Sequence, residues 1–257
     1  MQSLTNQIQV RYGDTDSLHV SIPREKASEL ESLLNSKLQD YCKNLGIEPL
    51  LKVSFEKYVQ TEVFVESKKE GKAAKKYYVL RIREIDGKPV DSFDWRGFDR
   101  RDSSRLGRKV RKEVAKMIAY DRISEIKPYL IPIIQDIKAG KYKLRDVCMN
   151  IGLHKDPEKY PEDYDYVRGA KYANEFLGLQ IRGGDYVKVV PVKKIIGPPT
   201  DVICVLDESQ VPDGTVVDYD KLLYKTFELK LESLLKVCGI EWSSLLPHKS
   251  LAKVYVK

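Results

Sequence analysis

The stretch "VRYGDTDSLHV", Val10 to Val20, places Asp14 and Asp16 between two short apolar alternations, Ile8, Val10, Tyr12 on one side and Leu18, Val20, Ile22 on the other. Alternation, a polar break and renewed alternation predict strand, turn, strand, with the aspartates at the turn. Residues i and i+2 of an extended chain face the same way, so the two carboxylates address one small volume. Like charges so placed repel unless a cation lies between them. Mg²⁺ suits such a site, because it prefers oxygen ligands and commonly binds one or two carboxylates together with substrate phosphates. Gly13 leaves room for close approach by backbone or substrate. Taken alone, however, a D-x-D pair is most often an ordinary polar turn, so the surrounding residues decide.

After Pro23, Ala27, Leu30, Leu34, Leu38, Tyr41 and Leu45 recur at three- and four-residue spacing and stop at Gly46, which predicts an amphipathic helix. Strands expected near 51–59, 62–67 and 76–83, the last followed by the turn signal Asp86-Gly87, supply a sheet for that helix to cover. The first region is therefore α+β. From about Asp102 the texture turns helical, with Leu106, Val110, Val114, Met117 and Ile118 on one side of a first helix. In a second, Pro128 and Pro132 predict a kink or a break. Beyond these, a helix is expected over 164–176, strands near 186–192 and 202–206, and a helix over 218–237. The boundary between the two textures falls near residue 101.

Composition narrows the classes of function. The chain has 257 residues, 42% of them hydrophobic, enough to bury a core in one large domain or two small ones. Lys and Arg number 45 against 38 Asp and Glu, and 45 − 38 = +7 favours a polyanionic partner. No apolar run approaches the roughly 20 residues of a membrane span. The first residues, MQSLTNQ, lack the regions of a signal peptide, so an intracellular protein without a membrane partner is expected. Cys42, Cys148, Cys204 and Cys238 are widely separated and form no C-x-x-C pair, which argues against a zinc site or a disulfide framework. His19, His154 and His248 show no ligand spacing.

Two further stretches carry chemistry. In "AAKKYYVLRI" adjacent lysines on a strand point to opposite faces, so Lys76 shares a side with Tyr78 and the two can grip phosphate and sugar together. Solvated edge lysines have the same pattern. In "RGFDRRDSSRLGRKVRKE", Arg96, Arg100, Arg101, Arg105, Arg108, Lys109, Arg111 and Lys112 gather around a helix start that Asp102 or Ser103 is placed to cap. Such a row tracks a phosphate backbone without reading sequence. Arg108, Arg111 and Lys112 fit a solvated helix face equally well.

"YGDTDS", Tyr12 to Ser17, resembles motif C of the family B DNA polymerases, and the order of the later segments is similar too: a helix, palm strands, the Lys-Lys-x-Tyr element in "KKYYVL" and the Arg-rich junction in "RGFDRRDSS". The resemblance is strongest to archaeal-type enzymes. It implies a partial antiparallel palm sheet with a covering helix over 1–101, followed by a mainly helical thumb over 102–257. It also implies that Asp14 and Asp16 are catalytic Mg²⁺ ligands, Asp16 the more direct one. By the same resemblance Lys75, Lys76, Tyr78, Arg96, Arg100 and Arg101 contact primer-template DNA. Tyr77 stands where the family usually has Arg, and Ser103 where several relatives have Trp.

The family's other metal-binding aspartate, its fingers helix and its exonuclease region all lie upstream of motif C. The resemblance therefore implies the small or C-terminal part of a DNA-directed DNA polymerase, acting on deoxynucleoside triphosphates with a larger chain that carries those regions. Two rivals stand beside it. One is a non-catalytic nucleic-acid-binding remnant of a polymerase. The other is an RNA-copying palm enzyme, but those usually carry adjacent aspartates at this turn, whereas here Thr15 is interposed.

Overall fold

The computed structural model describes residues 8–66, 73–98, 103–161 and 163–246, with the backbone alone at 66 and 73–77. The chain divides into two compact units, one of Met1–Thr61 with Arg81–Phe93, the other of Glu62–Leu80 with Asp94–Lys257. The fold is α+β, with antiparallel pairing in the first hairpin and in the sheet of the second unit.

The first unit opens with the expected hairpin. Strands β1 (Gln9–Asp14) and β2 (Ser17–Ser21) pair with Gly13 opposite Leu18 and Asp14 opposite Ser17, and a register shift between Val10 and Tyr12 leaves Arg11 in a bulge. Helix α1 (Ala27–Asn44) follows and ends just before Gly46, as its spacing predicts. The strand expected at 51–59 does not form there; regular structure resumes only at Lys57. Helix side chains take the backbone hydrogen bonds of this stretch instead. Asn35 Nδ2 donates to the Val53 carbonyl at 2.8 Å, and the Val53 and Phe55 N–H groups donate to Asn35 Oδ1 and Glu31 Oε2, both at 2.9 Å. With its polar groups satisfied by α1, the segment has no need of a ladder. The Arg24 guanidinium forks onto Glu84, its Nε donating at 3.0 Å, and lies 4.5 Å over the Phe55 ring.

Strands β3 (Lys57–Glu66), β4 (Ala73–Ile85) and β5 (Lys88–Arg96) form a three-stranded sheet in that order, and each unit holds part of every strand. The Asp86-Gly87 turn returns the chain into β5, whose Pro89 and interspersed Asp and Ser hide it from a search for apolar alternation.

The second unit combines helices with a small sheet. Helix α2 (Arg105–Ala119) is capped by Ser104, whose Oγ accepts from the Gly107 N–H at 3.0 Å, so the cap falls one residue beyond the Asp102 or Ser103 expected. Gly107 is required by packing: a Cβ there would lie 3.1 Å from the Thr226 carbonyl oxygen. Helix α3 (Ile126–Lys138) is continuous through Pro132, so of the kink or break expected the break does not occur. Pro128 occupies its first turn, where an N–H has no helical acceptor, and buried Ile126, Leu130, Ile134 and Ile137 hold the helix through Pro132. After the short α4 (Leu144–Val147), strands β6 (Met149–Gly152), β7 (Tyr186–Lys194) and β8 (Val202–Val205) form an antiparallel sheet in that order, with β9 (Val216–Val217) also on β7. Helix α5 (Asp165–Phe176) lies on this sheet over a core of Ala170, Ala173, Ile181, Val187, Val189, Val202 and Cys204. The single helix expected over 218–237 is three pieces: α6 (Tyr219–Leu223), a π turn (Tyr224–Glu228) and α7 (Leu229–Val237). In the π turn the buried Thr226 hydroxyl donates to the Leu222 carbonyl at 2.8 Å, a competing bond of the kind that disturbs regular helices.

Candidate functional site

The aspartates sit at the tip of the β1–β2 hairpin, and the turn is tighter than extended chain. Thr15 has φ +51°, and the Asp16 N–H donates to the Asp14 carbonyl at 2.6 Å, closing a three-residue turn. The simple i, i+2 alternation therefore does not govern where the two carboxylates point. Asp14 is half-buried at the end of β1, while Asp16 is exposed in the turn. Ser17 Oγ donates to the Asp14 carbonyl at 3.2 Å and braces the turn from its far side. A β-branched residue at positive φ is a genuine outlier, and such backbone strain clusters at functional sites. Behind the turn, Tyr12 lies opposite His19 with their rings 5.2 Å apart, edge to face.

The residues expected to touch DNA are placed unevenly. Lys75 and Lys76 belong to β4, but their side chains lie outside the described residues, as do Arg100 and Arg101 entirely. Tyr78 is only 9% exposed, with its ring 5.5 Å from that of Phe64. Arg96, at the end of β5, is exposed and paired with Asp94 at 3.4 Å.

Arg111, expected in a basic row or on a solvated helix face, is turned inward instead. It is 2% exposed, and its Nη2 donates to the Phe98 carbonyl at 2.9 Å and to Ser103 Oγ at 3.0 Å. Arg108 adds a bond from Nη1 to the Ser103 carbonyl at 3.0 Å, and the Lys112 ammonium lies 5.5 Å over the Trp95 ring. Two arginines of α2 thus tie down Phe98 and Ser103, the described residues on either side of Arg100 and Arg101. The signal was present in the spacing, because Arg111 is four residues from Gly107 and three from Val114, both on the inward face.

Asp14 and Asp16 offer hard carboxylate oxygens, the donor type that Mg²⁺ takes. Among the described residues no group of three or more His, Cys, Asp or Glu side chains is placed to hold a metal ion, so two carboxylates account for part of a coordination shell only.

An acidic hairpin turn, antiparallel sheets and a helix-rich second unit make an α+β fold whose family is given by comparison with known proteins. The chain belongs to DNA polymerase family B, whose model matches residues 2–224. Over 167 residues it is 28% identical to a DNA polymerase of Archaeoglobus fulgidus, covering 65% of this chain and 19% of that protein. Over 193 residues it is 25% identical to the DNA polymerase alpha catalytic subunit of Xenopus laevis, covering 71% of this chain and 13% of that protein. The fold is also similar to that of the family B DNA polymerase from the hyperthermophilic archaeon Pyrobaculum calidifontis, with a TM-score of 0.61 and 22% identity over 93% of this chain and 28% of that one. The chain thus spans less than a third of each of these relatives.

Proposed function

We propose that this chain is the C-terminal palm and thumb part of a DNA-directed DNA polymerase, the palm part ending near residue 101. In this reading Asp14 and Asp16 hold Mg²⁺ where the nucleotide is added, and Lys75, Lys76, Tyr78, Arg96, Arg100 and Arg101 serve the grip on primer-template duplex. The observation that carries it is the Tyr12–Ser17 motif on an exposed, strained hairpin turn inside the stretch that matches the family model.

Bound Mg²⁺ would lower the charge barrier between the primer 3′ oxygen and the nucleotide α-phosphate. The chain's own residues orient the reactants. Asp16 approaches from the turn, and Asp14 is steadied by Ser17 and the end of β1. Lys76 contacts backbone phosphate, and Tyr78, with its ring against Phe64, anchors the strand that presents it. Arg111 and Arg108 brace both flanks of the Arg100–Arg101 stretch. The remaining metal ligands, the nucleotide clamp and the exonuclease come, in this proposal, from a larger polymerase chain. Exposed apolar side chains of the first unit favour such a partner: Leu50 is 90% and Leu51 77% exposed, and nearby in the chain Tyr41, Leu45 and Ile47 are each more than half exposed. Natural proteins normally cover apolar surface of this kind.

The test is primer extension by the chain reconstituted with a family B polymerase chain carrying the upstream palm, fingers and exonuclease regions. Asp16→Ala is expected to abolish incorporation while circular dichroism and duplex binding stay near wild type, because the lost group acts on metal and transition-state charge. Incorporation by that variant at the wild-type rate overturns the assignment. Duplex binding without any incorporation by the wild-type pair would favour a non-catalytic binding remnant instead.

A further inference from the structure

We infer that a cleft in the second unit, between the start of α2 and the β6–β7 edge, is a binding site for a phosphoryl group. The cleft has a volume of about 300 Å³ and is entered by four cations from three parts of the chain: Arg105 and Arg108 from α2, Arg145 from α4 and Lys188 from β7. Sequence puts Arg105 and Arg108 in one basic row but does not join them to Lys188, which is 80 residues from Arg108.

The way these cations are held suits an anion. Arg108 Nη1 donates to the Ser103 carbonyl at 3.0 Å and Lys188 Nζ to the Leu206 carbonyl at 2.5 Å. Neutral carbonyls fix the direction of a charged head without cancelling its charge. Arg105 pairs with Asp146 at 3.5 Å in an exposed contact, which is weak. The Arg145 side chain and the Asn150 amide make no hydrogen bond or ion pair among the described residues, although the Arg145 backbone N–H donates to Glu208 Oε2 at 3.2 Å. Both therefore have donors to offer.

The cleft stays net positive, with four cations in its lining against one carboxylate. Asp207, the one carboxylate in the lining, accepts from the Ser209 N–H at 3.0 Å and its hydroxyl at 2.8 Å as the cap of the turn after β8. Glu208 accepts the Arg145 N–H, and Asp146 faces Arg105. Cys148, also in the lining, adds no charge, because burial pushes its thiol up to about 12. Three planar guanidinium forks, an ammonium and an amide converging on one small volume match the tetrahedral oxygens of a phosphoryl group better than a single carboxylate. The source is either the phosphodiester of a nucleic-acid strand or a free oligophosphate. The nucleic-acid source rests on the polymerase reading; the oligophosphate source does not.

The experiment measures binding of the full chain to a labelled duplex oligonucleotide across a salt series, and to tripolyphosphate by calorimetry. Arg145→Gln and Lys188→Gln are compared with Lys194→Gln, an equal charge change about 20 Å further along β7. Each cleft variant is expected to weaken tripolyphosphate binding about tenfold at low salt. If the source is a strand, each also lowers the salt slope for duplex by about one, with Lys194→Gln unchanged on both counts. Loss confined to tripolyphosphate identifies a free oligophosphate; loss confined to duplex identifies the strand. Cleft variants that match Lys194→Gln on both ligands overturn the site, as does a wild-type chain that binds neither. Binding of both duplex and tripolyphosphate that is insensitive to the cleft variants, with duplex binding falling on Lys76→Ala, overturns the site while leaving the polymerase reading in place.

Discussion

Arg111 has an energetic role out of proportion to a single surface-type residue on a basic helix. Its buried guanidinium satisfies the Phe98 carbonyl and the Ser103 hydroxyl, and truncating it strands both acceptors away from water. Arg111→Met is expected to destabilise the chain by about 2–4 kcal/mol in urea unfolding, at about 1–3 kcal/mol for a buried polar group left unsatisfied. A loss below about 0.5 kcal/mol, the range of ordinary surface substitutions, would show that water replaces it. Lys76 poses the opposite case, a residue whose value lies in a ligand. Lys76→Ala is expected to weaken primer-template binding similarly across sequences and to reduce its salt slope by about one, as one lost phosphate contact should. An unchanged slope would make it an ordinary edge lysine.

Between elements, a charged network fastens α5 to the start of β8 and to α6. Arg168 Nη2 reaches Asp165 at 3.0 Å and Asp201 at 3.1 Å, and Lys221 also pairs with Asp201. The Lys221 hydrogen bond, and after it Arg168, holds the Asp201 carboxyl below its ordinary 3.8. A carboxyl lowered by folding stabilises the folded state above its unfolded value, and that contribution is lost as pH falls through the folded value. The unfolding midpoint of the chain is thus expected to drop below about pH 4. Asp201→Asn should flatten that drop, and added salt should weaken it because the pair is half-exposed. An identical pH profile for wild type and Asp201→Asn would remove the network from the account of acid stability. Neighbouring elements rely on close approach instead. On α5, a Cβ at Gly169 would meet Cys204 Sγ at 2.9 Å, so the helix can lie on β8 only with glycine there.

For the molecule as a whole, the proposal requires activity to depend on a second chain. The purified chain is expected to extend no primer by itself and to gain extension when the upstream palm, fingers and exonuclease regions are added. Two aspartates bind Mg²⁺ weakly without further ligands, and a triphosphate without a clamp is not positioned for attack. The exposed apolar side chains of the first unit should become protected in the same complex, read by hydrogen exchange around Leu45–Val53. Robust extension by the isolated chain, lost on Asp16→Ala, would refute the need for a partner and put nucleotide binding within these residues.

The hairpin, helix α1, the start of α2 to within a residue of its cap, helix α5 and strands β7 and β8 were legible in the residues, because each rests on local periodicity and turn chemistry, whereas the short β6 and β9 were not. The motif on the hairpin also pointed to the family by itself. Local pattern failed wherever a distant group changed the balance. Glu31 and Asn35 claimed the backbone of 53–55, packing carried α3 through Pro132, and Thr226 turned one expected helix into three pieces. The phosphoryl cleft belongs to the same class, since Arg105, Arg145 and Lys188 meet only once β6 has paired with β7 and α2 has been capped beside them. Sequence determined which short segments are helix, strand and acidic turn, because those preferences act over a few residues. Tertiary structure alone decided which charges are buried, which are tethered and which converge, because those outcomes depend on partners 8 to 80 residues away, from Ser103 and Arg111 to Arg108 and Lys188.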